Sequence, residues 1–526
     1  MAERELSLTV NGRPVKLVLG TELKVVKQGI HQVPFYQVAA ASFHRDSRKL
    51  YIAYVLKKGK KQPYSFVELN GQVKEDEDTL RLAMEFAEAL HEKAYQGVKY
   101  GRRLRVLVNP NGGVGKAVSI FSKQVEPLLK AAGCTLDVSQ TTHNGHAFDI
   151  AKSLTLDSYD AVVTVSGDGL VHEVLNGFAN HAEPRKALSI PVAPIPTGSG
   201  NGLSLNLLGL EDGFDILRAT LNVIKGQTMH VDVFSITQGG KRTLSFMSQA
   251  LGLMADLDIG TENLRWMGDT RFIYGLLRGL IKFKPCDVQL SYKGAEMDKH
   301  QMFQTLQSRR KAVDDSTSVP VLPGIPASPT SANFAATSTD ADGDKLEDDP
   351  KDSTGLPDLK YSMEDTEGWT KFDEKLLYLY AGKGPFVGRD LMAFPVSLPD
   401  DGLIDIVVQS HTKTSRLEIL GSFEGAPRGE QYWSDSIHYV KASAYRIQPK
   451  PKAKGCLSID GEAFPFEAFQ VEVHPGLGTL LSPKGYYAAE FAQPGGAVAK
   501  KKDGKKSGAK GGDKKERKKG TLWCCA

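Results

Sequence analysis

The sequence predicts an α/β plus β protein, with an N-terminal β domain, a parallel α/β domain and a C-terminal antiparallel β domain. Three observations lead there. From Arg102 to about Gly226 strands alternate with helices, and the strands are apolar on both faces. Before that stretch, short runs alternate apolar and polar residues; after it, long strands follow one another with few helices between them. At 526 residues the chain is too long for one ordinary core, so several domains are expected.

Residues 1–100 carry the runs LSLTVNG, KLVLG, FYQVAAASFH, KLYIAYVLKK and YSFVELN, then one amphipathic helix over about 77–95. Antiparallel strands closed by a single C-terminal helix are the pattern of a PH-like β domain. Residues 101–226 begin with the strand RLRVLVNP and end beyond the strand ALSIPVAPIP, which predicts a parallel sheet covered by helices. Residues 227–490 contain MHVDVFSIT, RTLSFMSQALGLM, DVQLSYKG, KLLYLYAG, GLIDIVVQS, KASAYRIQP and FQVEVHPG, the strands of an antiparallel, sandwich-like domain. Residues 304–367, rich in Pro, Ser, Thr and Asp and poor in aromatics, read as a disordered insertion in that domain. Residues 491–526 form a basic tail.

Composition narrows the function. Hydrophobic residues make up 41% and charged residues 24% of the chain, and no run of eighteen apolar residues marks a transmembrane helix. The start MAERELSLTV has no apolar signal core, and the five cysteines form no CxxC pair. Together these point to a cytoplasmic protein without a cysteine zinc site. The formal charge of +4 misleads, because from Lys500 onward eleven Lys/Arg face three Asp/Glu while the rest of the chain is net negative. A near-neutral body with a basic tail does not suit a nucleic-acid-binding domain.

Three glycine-rich turns follow parallel strands: Asn109-Pro-Asn-Gly-Gly-Val-Gly-Lys116, Ser166-Gly-Asp-Gly169 and Pro196-Thr-Gly-Ser-Gly-Asn-Gly202. Ligands of open α/β sheets bind outside such strand ends, where helix N-termini and bare amides meet phosphates. One loop of this kind is weak evidence; three in one domain predict phosphate binding. The first is not a Walker A loop, since Pro110 replaces the leading glycine and Ala117 follows Lys116 where Ser or Thr is needed. No GxGxxG follows the first strand either. Between Gly167 and Gly169, Asp168 is open to substrate on both sides, so its carboxylate can accept a proton from an attacking hydroxyl or help hold Mg²⁺. The structural alternative is an N-cap for the helix LVHEVLNGF.

SGDGLVHEVLNG, PTGSGN, NPNGGVGKA and the later GLMADLD and SIDGE together resemble the lipid kinases of the diacylglycerol-kinase superfamily, and among them most closely the sphingosine (long-chain base) kinases. The resemblance covers roughly residues 100–490 outside the insertion. It implies that ATP binds between the α/β domain and a lipid-binding β-sandwich-like domain, and that Asp168 activates the primary hydroxyl of the lipid. It also implies that Ser166, Gly167 and Gly169 shape the substrate site. Nucleotide contacts would come from Asn109, Pro110 and Asn111, from Thr141, Thr142, His143, Asn144 and Gly145, and from Glu173, Gly198, Ser199 and Gly200. Asp258 would pair with the sphingoid ammonium, and Arg265 and Arg271 would reach the ATP phosphates. Asp460, Gly461 and Glu462 match the family's DGE turn near the nucleotide and metal, with Asp168 and Asp460 as candidate Mg²⁺ ligands.

These roles make physical sense. A carboxylate in a partly apolar pocket discriminates for a cationic amino-alcohol against neutral lipids, and guanidinium groups suit charge developing on phosphoryl oxygens. A ceramide or diacylglycerol kinase is the alternative within the superfamily. NAD kinases share the GDG turn, but there GGDG is followed by Thr, whereas here Ser166 precedes and Leu170 follows. His172, a lone helical histidine, receives no role. The tail is not a CaaX box, because Trp523 stands where cysteine is required. Cys524 and Cys525 behind a polybasic run supply the two signals of a lipid anchor, and acylation there predicts peripheral attachment to anionic membranes.

Overall fold

The computed structural model describes residues 3–493, apart from 28, 58, 60–61, 114, 262–269, 318–354 and 423. The N-terminal runs form β1 (Arg4–Val10), β2 (Arg13–Leu19), β3 (Leu23–Val26), β4 (Ile30–Val33), β5 (Val38–His44), β6 (Lys49–Lys57) and β7 (Tyr64–Gln72). They build one antiparallel sheet in the order β4-β3-β2-β1-β7-β6-β5, in which β1 meets β7 only at Thr9 and Gln72. Helix α1 (Glu77–Ala94) starts where the Asp76 side chain accepts the Thr79 amide at 2.9 Å. Its apolar face buries Ala83, Phe86, Ala87, Leu90 and Ala94.

The α/β layer follows as β8 (Arg103–Val108), α2 (Ala117–Ile120), α3 (Glu126–Ala131), β9 (Thr135–Gln140), α4 (His146–Lys152), β10 (Ala161–Ser166), α5 (Asp168–Ala179), α6 (Pro184–Leu188), β11 (Val192–Pro196), α7 (Gly202–Asp212) and α8 (Ile216–Lys225). The strands pair in parallel in the order β9-β8-β10-β11. Every residue of β10 and β11 is buried, as expected of strands covered on both faces.

Then come β12 (Gln227–Gln238), β13 (Lys241–Ser245), β14 (Ser248–Gly252), α9 (Leu253–Asp258), α10 (Thr270–Lys282), β15 (Val288–Glu296), α11 (Lys299–Thr317), β16 (Thr370–Phe372), β17 (Leu376–Gly382), β18 (Phe386–Gly388) and β19 (Leu391–Met392). The chain continues with β20 (Ile404–Ser410), α12 (Arg416–Ser422), β21 (Ile437–Pro449), β22 (Leu457–Ile459), β23 (Glu462–Phe464) and β24 (Phe469–Ser482). The pairs among these strands are antiparallel, as the sequence predicts. What alternation could not reveal is their continuity with the parallel strands. The long strand β24 runs antiparallel to β12 and β21 and touches β11 in parallel at Val192 and Leu480, so one sheet passes through both regions.

One expectation needs correcting. Residues 304–317 are not a disordered insertion: they belong to α11, whose Met302 and Leu306 are buried in the core beside Tyr432 and Phe491. Lys299 at its start donates to the carbonyls of Ser434 and Ile437 at 2.8 and 2.9 Å. Residues 355–367 are held too, for the Lys360 amide donates to Glu472 at 2.9 Å and Gln470 donates to the Tyr361 carbonyl at 2.6 Å. The middle of the expected insertion, 318–354, lies outside the described residues, as does the tail with Cys524 and Cys525.

Candidate active site

The three glycine turns meet at the C-terminal ends of β8, β10 and β11. Neighbouring strands hold them together, with the Asn109 amide donating to the Val165 carbonyl and the Thr197 amide to the Ser166 carbonyl, both at 3.1 Å. The turns pack so closely that two glycines are obligatory. A Cβ on Gly113 (φ 61°) would overlap the Thr197 carbonyl oxygen, and one on Gly198 would overlap the backbone of Gly167. Asn201, itself at φ 53°, closes the third turn by accepting from the Gly198 amide at 3.0 Å and donating to the Gly198 carbonyl at 2.6 Å. The result is a backbone cradle that bare amides can offer to phosphates.

Asp168 is the first residue of α5, yet it does not cap that helix. Its carboxylate crosses to the start of α7, accepting the Gly202 amide at 2.7 Å and the Leu203 amide at 3.1 Å. The structural alternative drawn from the sequence was therefore right in kind and wrong in helix. Burial pushes the carboxyl up from an ordinary 3.8 to about 6; the two amides pull it back, and the Asp460 charge adds to the rise. Each oxygen retains a lone pair, and the residue borders a cavity of about 560 Å³.

Asp460 sits opposite, in the two-residue turn between β22 and β23. Asp460 (φ 49°) and Gly461 (φ 86°) both have the positive φ that a type I′ hairpin requires, with Ile459 paired to Glu462. The buried Asp460 carboxylate is saturated. One oxygen accepts from Ser245 Oγ and the amides of Met247 and Ser248, the other from the Phe246 amide and His172 Nδ1, at 2.8–3.2 Å. Asp460 thus does not fit the metal-ligand role expected of it. Among the described residues no group of three His, Cys, Asp or Glu side chains could hold a metal unaided. A magnesium ion arriving with ATP needs only one or two carboxylates besides phosphate oxygens, and the carboxylates of Asp168 and Glu462 border the same cavity.

Most of the expected site residues border this cavity: Asn109 and Asn111 from the first turn, Ser166 through Gly169 from the second, Gly198 through Gly200 from the third. Asn144, Glu173 and Asp460 through Glu462 join them. Glu173 also accepts the Ala147 amide at 3.1 Å, tying α5 to the start of α4. Pro110, Thr141, Thr142, His143 and Gly145 are not on its wall. Thr141 is buried, the Thr142 amide donates to His146 Nδ1, and Gly145 borders a second, more open cavity of about 550 Å³. Asp258 closes α9 and Arg271 lies in α10, but their side chains are outside the described residues, and so is all of Arg265.

Although Met254 and Leu257 lie within the GLMADLD motif, sequence reasoning singled out no residue of the apolar wall, Phe214, Met247, Met254, Leu257, Tyr380 and Leu391. Part of it is the hairpin β18–β19, whose base is fixed by Asn206, which donates to the Phe386 carbonyl and accepts the Phe386 amide at 2.9 and 2.7 Å. Its tip carries Arg389, with the guanidinium 4.1 Å from the Phe214 ring centre, and Asp390. Periodicity does not distinguish the hairpin in the sequence, because its base is anchored by Asn206 of α7, 180 residues before Phe386. Also missed was His172, whose Nδ1 lies 2.8 Å from Asp460. Burial alone would lower its pKa, but the Asp460 carboxylate beside it raises it above the ordinary value. Among the described lining residues Arg389 is the one cation, against the carboxylates of Asp168, Glu173, Asp390, Asp460 and Glu462.

A glycine-lined cradle, a buried carboxylate and an apolar wall around one cavity define a kinase-like site for an amphiphilic alcohol. In agreement, residues 103–236 match the diacylglycerol kinase catalytic domain, a stretch that includes all three turns and Asp168. The chain is 33% identical over 406 residues to sphingoid long chain base kinase 4 of Schizosaccharomyces pombe, covering 76% of this chain and 79% of that one. It is 30% identical over 493 residues to sphingoid long chain base kinase 5 of Saccharomyces cerevisiae, covering 86% and 68%. A crystal structure of a diacylglycerol kinase from Bacillus anthracis str. Sterne aligns with a TM-score of 0.42 at 17% identity over 73% of this chain and 98% of that one. The chain belongs to the sphingoid long-chain base kinase family.

Proposed function

We propose that the protein is an ATP-dependent lipid kinase that phosphorylates the primary hydroxyl of sphingoid long-chain bases, with Asp168 as general base. One observation carries the reading: a carboxylate whose proton affinity is raised to about 6 lies between a backbone phosphate cradle and an apolar wall. The amides of the three turns receive the ATP phosphates, and the alkyl chain lies along Met247, Met254, Leu257 and Tyr380. The hydroxyl meets Asp168, which takes its proton as the oxygen attacks the γ-phosphorus. Magnesium bound with the nucleotide would offset phosphate charge, with Glu462 as the carboxylate to hold it while Asp168 serves as the base.

The excess of carboxylates on the described wall favours a cationic lipid over a neutral ceramide or diacylglycerol. Asp258 pairs with the ammonium in this reading, and Arg265 and Arg271 with the phosphates. The N-terminal sheet with its helix is assigned as a PH-like domain over 1–100, followed by the ATP-binding domain over 101–226, the sandwich-like lipid-binding domain over 227–490 and the basic tail over 491–526. Among the described residues no helix is long and apolar enough to cross a membrane. Tyr274, Leu277 and Ile281 are exposed on α10 near Arg278, Lys282 and Lys284, which supports docking on an anionic membrane surface, assisted by acylation of Cys524 and Cys525.

The test is radiolabelled transfer from ATP to sphingosine, phytosphingosine, ceramide and diacylglycerol, with wild type and Asp258→Asn side by side. Labelling of the amino-bases alone, sharply weakened in the variant, is expected. Labelling of ceramide or diacylglycerol that ignores the variant would overturn the substrate.

A further inference from the structure

Both carboxylate oxygens of Asp460 are taken up by protein donors although the residue borders the cavity, so its contribution passes through those partners. We propose that His172 is a positioning residue for phosphoryl transfer: through Asp460 it fixes the helix that begins at Asp168 against the turn that carries Glu462. The assignment rests on the reading of the larger cavity as the kinase site.

His172 stands four residues after Asp168, one turn further along α5 on the same face. Its side chain is only 12% exposed and that of Asp460 is fully buried, with 2.8 Å between Nδ1 and the carboxylate. Asp460 in turn gathers Ser245 Oγ and the amides of Phe246, Met247 and Ser248, of which Met247 and Ser248 border the cavity. The next turn of α5 repeats the link, because Asn176 accepts the Leu244 amide at 2.8 Å and donates to the Leu244 carbonyl at 2.9 Å. Two consecutive turns of one helix are thereby fastened to residues 244–248. Asn176 holds the far turn; His172 holds the turn next to the base.

The consequence lies across the cavity. Glu462, two residues after Asp460, places Oε1 3.3 Å from where a Cβ on Gly169 would stand. One path between the two carboxylates thus runs Asp168–α5–His172–Asp460–Glu462, beside the α7 amides that hold the Asp168 carboxylate itself. An apolar side chain at 172 would remove one donor from a buried carboxylate and free the first turn of α5 to pivot about Asn176. Displacement of about 1 Å at a reacting group can cost roughly 100-fold in rate.

The experiment compares His172→Ala, His172→Asn, His172→Gln and His172→Gly in the full chain, reading kcat and KM for ATP and sphingosine together with Tm. An Asn side chain can place its amide near the Nδ1 position, whereas Gln reaches past it. The alanine and glutamine variants should lose roughly 10- to 100-fold in kcat with little change in either KM, and the asparagine variant should keep most of it. His172 also borders the second, open cavity, so added imidazole should restore kcat to His172→Gly. If Ala fails to fold, the Asn and Gln variants, one methylene apart, decide. Equal kcat in Asn and Gln, or loss of Tm with wild-type kcat and no imidazole effect, would make His172 a packing residue and overturn the proposal. A wild-type chain that phosphorylates none of the bases would instead overturn the reading of the site, and this assignment with it.

Discussion

At the scale of the residue, Asp168 has two duties that pull against each other. As a cap it serves best ionised, because two α7 amides point at it; as a buried group it resists ionisation. Burial wins, and the proton leaves at about 6. Catalysis should therefore climb with pH, by about tenfold per unit below that value, and level off above it, as initial rates at saturating ATP between pH 4.5 and 8 would reveal. A profile flat through 6 would remove Asp168 as the base. Stability moves the other way. Since the folded-state pKa lies above the ordinary 3.8, this group makes the fold less stable as pH rises from about 4 to 6, the reverse of a salt-bridged aspartate. Asn at this position cannot accept from both amides without turning its own NH₂ toward one of them. Asp168→Asn should accordingly lose on the order of 10²- to 10⁴-fold in kcat.

Among the elements, the three strand-ending turns act as one unit, because each fills space that a side chain on its neighbour would need. Gly198 shows this best. A Cβ there would overlap Gly167, directly before the base, so the second and third turns would have to separate. Gly198→Ala should raise the KM for ATP at least about tenfold while leaving the global fold in place, since surface loops tolerate such shifts better than strands do. Titration with a fluorescent nucleotide would check it; unchanged affinity would mean that the cradle does not hold phosphates. The turns were legible in the sequence through their glycines. The hairpin β18–β19 was not, because its Arg-Asp tip has no turn signature and its base depends on Asn206, 180 residues away from Phe386.

On the scale of the whole molecule, the N-terminal sheet is not an appendage. Its buried residues and those of β8, β10, β11 and α8 share one apolar core. Polar contacts reinforce this: Lys57 pairs with Glu211 and Asp212 at 2.9 Å, and the Tyr64 amide donates to Asp215 at 2.9 Å. Lys225, almost fully buried at the end of α8, donates to the carbonyls of Phe35, Val38 and Ala94. The sheet thus grips α7 and α8, and the first amides of α7 hold Asp168. Lys225→Met fills the space but leaves three buried carbonyls without a donor, which should cost about 2–4 kcal/mol in a denaturant titration. A midpoint equal to wild type would show that the sheet and α8 are held by packing alone.

The local chemistry of this protein was written in its sequence: the alternation that makes a parallel sheet, the glycines at its strand ends, the bare carboxylate between two of them. Each of these depends on near neighbours or on backbone sterics, so a linear reading reaches them. Tertiary structure alone decided the rest. It gave Asp168 a cap on α7, turned Asp460 into a saturated hub with His172, joined the two regions through β24 and made a helix of residues 304–317. Those outcomes rest on hydrogen bonds and burial between positions tens to hundreds of residues apart, such as His172 and Asp460, where sequence spacing carries no signal and only packing chooses the partner.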